Sequence, residues 1–167
     1  MSRFLAIADE IKSRIEGISV ADGYNLDIGD AVYVNGLQPI PVVGDSDELL
    51  AGSVVIDPGE IVTPDEDGTT RSGTVVLDTL LDRTITIIVA WPIADKDNWL
   101  QIAENIGEDL RSALYRMPAS VSDTSVTHWS ELGVRRIGQV SQSATRPRKG
   151  SRVLHIETQF RLRYSEN

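Results

Sequence analysis

The chain has 167 residues, of which 41% are hydrophobic, 25% charged and only 5% aromatic, and it carries a formal net charge of −9. That length suits one domain, 1–167, with a core built mostly from Ile, Val, Leu and Ala. The absence of cysteine excludes disulfides, thiolate metal sites and thiol catalysis, and fits folding in a reducing cytoplasm.

The N-terminal stretch MSRFLAIADEIKSRIEG carries acidic residues at a spacing that interrupts a signal-peptide core. Its apolar residues Phe4, Ile7, Ala8, Ile11, Ile15 and Ile18 recur every three or four positions and predict an amphipathic helix. Ser2 is placed to cap its start and Gly17 to end it in a left-handed turn. Asp9, Glu10, Lys12, Ser13, Arg14 and Glu16 fall on the opposite, polar face.

Residues 23–60 read as short strands between turns. AVYV (31–34), IPVV (40–43) and SVVI (53–56) are β-branched runs bounded by Gly, Asp, Asn and Pro. Pro39 and Pro41 reduce the middle run to an edge or an irregular extended segment. Residues 57–73, DPGEIVTPDEDGTTRSG, form a polar, acidic excursion. Its PDEDG cluster lacks the spacing and closing glutamate of a calcium loop, so a solvated loop is the expectation and no metal is assigned.

RTITIIVAWP (83–92) predicts the strongest strand, with Ile85, Ile87, Val89 and Trp91 on one face. The near-continuous apolar run suggests a central strand covered on both sides. A second helix follows over DKDNWLQIAENIGEDLRSALYRMP (95–118). Its core face holds Trp99, Ile102, Ala103, Ile106, Leu110, Ala113, Leu114 and Met117. Asp95 or Asp97 is its expected cap, Arg111 and Arg116 suit its C-terminal end, and Pro118 closes it. Gly107 weakens a helix interior by ~1 kcal/mol relative to Ala, so close packing is the expected reason for it.

GVRRIGQVSQ (133–142) reads as a strand and SATRPRKGS as a loop. The closing run, 151–164, alternates: Leu154, Ile156, Thr158, Phe160, Leu162 and Tyr164 point one way, Val153, His155, Glu157, Gln159, Arg161 and Arg163 the other. One face is core and the other wet. The fold class expected is α+β: a mainly antiparallel mixed sheet with two amphipathic helices packed on one face.

Neither His128 nor His155 belongs to a nucleophile motif, no phosphate-binding glycine loop is present, and no carboxylate pair stands out. The expectation is a non-enzyme with no cofactor. Charge, by contrast, is segregated. Residues 1–130 hold 8 basic and 22 acidic side chains, a balance of −14, whereas 131–167 hold 8 basic and 3 acidic, a balance of +5. Arg135, Arg136, Arg146, Arg148, Lys149, Arg161 and Arg163, with Arg152 among them, are the candidate subunit or partner interface. The plainer reading is a few solvated strands that carry Arg. If copies of the chain meet through unlike surfaces, salt or reversal of Arg161 and Arg163 to Glu shifts the assembly toward monomer.

Three features in order carry a resemblance: the opening helix FLAIADEIKSRIEG, the strand running into a helix, RTITIIVAWPIADKDNWLQIAENIGEDLRSALYR, and the closing strand pair GVRRIGQVSQ and RVLHIETQFRLRYSE. Together they resemble the tail terminator (tail completion) proteins of long-tailed bacteriophages. The resemblance covers most of the chain and is one of architecture; no fixed site motif carries over. It implies a mixed sheet flanked by helices and a virion structural protein at the head-proximal end of the tail, assembled in the host cytoplasm. Such a protein forms a hexameric ring on the last ring of tail tube protein, ends tube polymerisation and offers the joining surface for the head-side connector or stopper. The implied partners are other copies of the chain, the tube protein and the connector, with no membrane and with DNA only passing through the channel. The 57–73 excursion departs from so small a member. Two other readings stand beside it: another neck component such as a stopper, and a binding module using its basic C-terminal region.

Overall fold

The computed structural model describes residues 2–62, 80–94, 98–120, 122–145, 150 and 152–166. Helix α1 spans Arg3–Glu16, and a short 3-10 turn at Val20–Asp22 follows it. Strands β1 (Val32–Val34), β2 (Val54–Asp57), β3 (Ile61–Val62) and β4 (Leu80–Pro92) lead to helix α2 (Trp99–Tyr115). Strands β5 (Val134–Thr145) and β6 (Val153–Ser165) close the chain. The sheet runs β1-β2-β4-β6-β5, with β3 pairing β4 beside β2. Only the β1–β2 pair is parallel. The α+β class, with a mainly antiparallel mixed sheet, is therefore the observed one.

Both helices lay their apolar stripes on the same face of that sheet. Ile7, Ala8, Ile11, Ile15 and Ile18 from the first helix region and Ala103, Ile106, Leu110, Ala113 and Leu114 from α2 are buried. They join one core cluster with Val32, Val34, Val54, Ile56, Ile85, Ile87 and Val89. The inward row of β6, from Leu154 to Tyr164, has no exposed surface at all. Burying each large aliphatic or aromatic side chain of this row is worth roughly 1.5–3 kcal/mol, which makes β6 the keel of the domain. At one end of the core Phe4 packs on Tyr164, ring centroids 6.0 Å apart, and the Arg83 guanidinium lies 3.7 Å over the Phe4 ring.

Several local expectations are corrected. Gly17 does not turn left-handed: its φ is −81°, and it closes α1 through its N–H to Ser13 O. The first left-handed glycine is Gly23, after the 3-10 turn. Ser2 stands at the N-cap without a side-chain bond. Asn98 caps α2, its side chain accepting from Gln101 N–H; Asp95 and Asp97 lie outside the described residues. Helix α2 ends at Tyr115, so Met117 sits beyond it and is exposed. The residue before a proline disfavours the helical region, which stops the helix short of Pro118. Strand β4 is central, but its outer face is not fully covered: Thr84 is exposed and Thr86 and Ile88 are only half-buried.

Arg14 is the largest departure. Its charge puts it among the polar residues, yet it is buried: three residues after Ile11, seven after Ile7 and four before Ile18, it falls inside the apolar stripe. Its Nε donates to Glu10 Oε1 at 2.8 Å, Nη1 to the carbonyls of Ala113, Leu114 and Arg116, and Nη2 to Thr127 O at 2.6 Å. The guanidinium also lies 4.2 Å from the Trp129 ring centroid, and Trp129 Nε1 donates to Leu114 O. The orphan carbonyls at the end of α2 are thus satisfied by Arg14 and Trp129. Arg111 and Arg116, expected there, bond instead to Gln139 and Ser125.

Gly107 has the reason expected of it. A Cβ at this position would run into the side-chain amide of Gln142, whose Nε2 donates to Ala103 O at 2.8 Å. The edge strand β5 lies over α2 through that contact.

Candidate assembly surface

The outer face of the sheet follows from register. Antiparallel pairing sets Asp82 beside Arg163, Thr84 beside Arg161 and Ala90 beside His155. On the far side β5 sets Arg136 beside Arg163 and Gly138 beside Arg161. Arg136, Arg161 and Arg163 therefore share one corner of the open face, although they come from strands far apart in sequence.

Two of the three already have a partner. Asp82 accepts from Arg163 Nε at 2.7 Å, Arg163 Nη2 at 2.8 Å and Arg161 Nη2 at 3.0 Å. The Asp82 side chain is only 6% exposed, while those of Arg161 and Arg163 are 63% and 43% exposed. Hydrogen bonding from Arg163 is the main cause that holds the Asp82 carboxyl down to about 2; Arg161 adds to it and burial opposes it. The same bond raises Arg163 above the ordinary guanidinium value. One buried anion under two arginines leaves the corner cationic and fixes where the two guanidinium groups stand.

The remaining candidates are distributed differently. Arg135 and Arg136 are both exposed at the first of two irregularities in β5, between Val134 and Arg136; the second lies between Gln139 and Ser141. Gln139 N–H turns away from the ladder to the Tyr115 hydroxyl, 2.7 Å away. No other strand pairs with the free side of β5 among the described residues. Arg152 is exposed, and its carbonyl accepts from Ile93 N–H. Arg146, Arg148 and Lys149 lie outside the described residues, as does the acidic run 64–68.

The connection between β1 and β2 holds a small hairpin, residues 41–50, where Pro39 and Pro41 predict an edge or an irregular extended segment. Val42 bridges Leu49, Val43 N–H donates to Glu48 O at 2.8 Å, and Leu50 N–H to Pro41 O at 3.2 Å. Its turn is tied by Ser46 Oγ donating to Val43 O. Val42, Val43 and Leu50 are exposed on this ordered arm, with Leu37 before it. The two prolines hide the hairpin from a strand-pattern reading, because they break the β-branched run.

The two histidines separate. His155 is half-buried on the outer face. His128 Nδ1 lies 2.5 Å from Ser130 Oγ and accepts the Ser130 N–H, a contact closed within one turn. Ser130 also lines a shallow cleft of about 180 Å³ with Arg3, Glu131, Gly133, Val134, Arg135 and Ser165; ligand pockets are ordinarily about 300–1,000 Å³. Among the described residues no group of three or more His, Asp or Glu is placed to hold a metal ion, and no helix is long and apolar enough to cross a membrane. Comparison with known protein families and with curated proteins finds no match for the chain.

Proposed function

We propose that this protein is a structural subunit of a phage tail, forming a ring that caps the tail tube, ends its polymerisation and presents the joining surface for the head-side connector. What supports the reading is the order of elements the resemblance rests on. An N-terminal helix, a central strand running into a second helix, and a closing strand pair all serve one sheet with one covered face. The single observation that carries it is the polarity of that sheet. Its uncovered face ends in the cationic corner of Arg136, Arg161 and Arg163 at the β5 side. The connection between β1 and β2 carries an ordered arm with solvent-facing aliphatic side chains, which re-enters the sheet beside Ala90, toward the other end of β4. Unlike surfaces on opposite sides of a subunit are what a closed ring of identical copies requires.

The test is tube capping. Tail-tube subunits from the same virion are polymerised with and without this protein, and tube lengths are measured by electron microscopy. The proposal expects shorter tubes with extra density at one end, in proportion to the protein added. Tubes of unchanged length and bare at both ends would remove it. A stopper-like neck component would instead bind preformed connector and leave tube length unaffected.

A further inference from the structure

We infer that the 41–50 hairpin of one copy docks on the cationic β5 corner of the next copy; the inference rests on the ring reading above and names the contact that would build the ring. Four observations converge on it. The arm is held by its own backbone hydrogen bonds, yet Val43 and Leu50 are 46% and 51% exposed. In its antiparallel pairing Val43 and Leu50 fall on the same side as Pro41, so their apolar surface is contiguous. Second, the tip carries Asp45, Asp47 and Glu48, and no Lys or Arg occurs anywhere between Arg14 and Arg71.

Third, the receiving corner has the matching character. Arg136 stands beside the Asp82-anchored Arg161 and Arg163, and Val140, 59% exposed, sits at the second irregularity of β5. Gly138, opposite Arg161, leaves open space where a side chain would otherwise stand. Fourth, the two surfaces lie toward opposite ends of β4: the hairpin returns to the sheet where Gly52 N–H donates to Ala90 O, whereas the corner is anchored by Asp82, near the start of that strand. At about 3.3 Å per residue those two points of β4 are roughly 26 Å apart, too far to meet within one subunit and well placed to link neighbours head to tail. The irregularities of β5 break its free ladder into short runs, which disfavours simple strand-to-strand addition and leaves side-chain docking.

The experiment uses the whole chain and reads assembly mass by sedimentation. Glu48→Arg with Asp47→Arg, and separately Arg136→Glu, are each expected to weaken self-association by about tenfold, and their combination to restore it to within a few-fold. Arg136 is the right cation to reverse: changing Arg161 or Arg163 strips the partners from buried Asp82 and confounds docking with folding. Because the chain has no cysteine, Val43→Cys with Val140→Cys supplies an independent reading. Cross-linking by a short bismaleimide is expected to give a ladder of covalent multimers, whereas either single variant stops at a covalent dimer. An assembly whose mass ignores both charge reversals, and which gives no ladder, overturns this contact and leaves the ring reading standing. A chain that stays monomeric at every concentration overturns it too, and tube capping then decides the ring reading separately.

Discussion

Two clusters of arginine and carboxylate hold this molecule, and they are built inside out with respect to one another. At the end of α2 the cation is buried: Arg14 is enclosed by main-chain carbonyls, with Glu10 as its counter-ion and Trp129 against its face. Glu10 in turn accepts Thr127 N–H, so the cluster ties α1, the end of α2 and the 127 segment together. On the outer face the anion is buried, and Asp82 anchors two arginines whose outer parts stay in water. The difference separates structure from surface. A guanidinium that spends its donors on carbonyls has none to offer a partner, whereas Arg161 and Arg163 are oriented by Asp82 and still face outward.

The largest expected effect comes from breaking the buried cation. Arg14→Met leaves the carbonyls of Ala113, Arg116 and Thr127 without this donor, Leu114 O with Trp129 alone, and Glu10 without its counter-ion. A loss of about 3–5 kcal/mol is expected, read as a lower denaturant midpoint. Arg14→Lys keeps the charge but cannot reach all these acceptors, so it recovers only part of the loss. If Arg14→Met unfolds at the wild-type midpoint, the cluster is ornamental.

The outer cluster is worth less, because its cations are solvated. Asp82 is held at about 2 in the fold against an ordinary 3.8. Its contribution is therefore complete above the ordinary value and is lost as pH falls from about 4 to about 2, with more protons bound by the unfolded chain across that window. With solvent screening this amounts to roughly 1–2 kcal/mol. Asp82→Asn should cost about that much at neutral pH and flatten the stability profile over the same window in acid titrations followed by circular dichroism. An unchanged acid limb in the variant assigns it to other carboxylates.

The smallest effect sharpens the comparison with a neutral contact. Gly107→Ala gains up to ~1 kcal/mol of helix propensity but must displace the Gln142 amide from Ala103 O. Alone it should be close to neutral; in a Gln142→Ala background it should stabilise by about 1 kcal/mol. A double-mutant cycle in thermal or chemical denaturation reads the coupling, and additivity would mean that Gln142 moves aside freely.

The candidate surface was only partly legible in the sequence. Arg136, Arg161 and Arg163 are visible as basic residues of the last quarter, and the alternation of 151–164 puts the latter two on the wet face. Asp82 was not legible as their partner: it precedes a strongly apolar run, and only the β4–β6 register brings it beside Arg163. The hairpin at 41–50 was obscured by its prolines. Arg14 was misplaced because its charge argues for the polar face, although its spacing from Ile7, Ile11 and Ile18 sets it on the apolar one; only the carbonyls at the end of α2 and at Thr127 make its burial possible.

By itself the sequence determined the periodic elements: two helices, the central strand and the closing strand with its sides correctly assigned. Spacing of apolar residues is a local property, and water sorts those faces wherever the chain goes. Tertiary structure alone decided which charges are satisfied, which are presented, and which loops stand out as arms. Those outcomes depend on pairs such as Asp82 with Arg163 and Arg14 with Arg116 O, separated by 81 and 102 residues. Their energies come from geometry that exists only once the sheet and its helices are assembled.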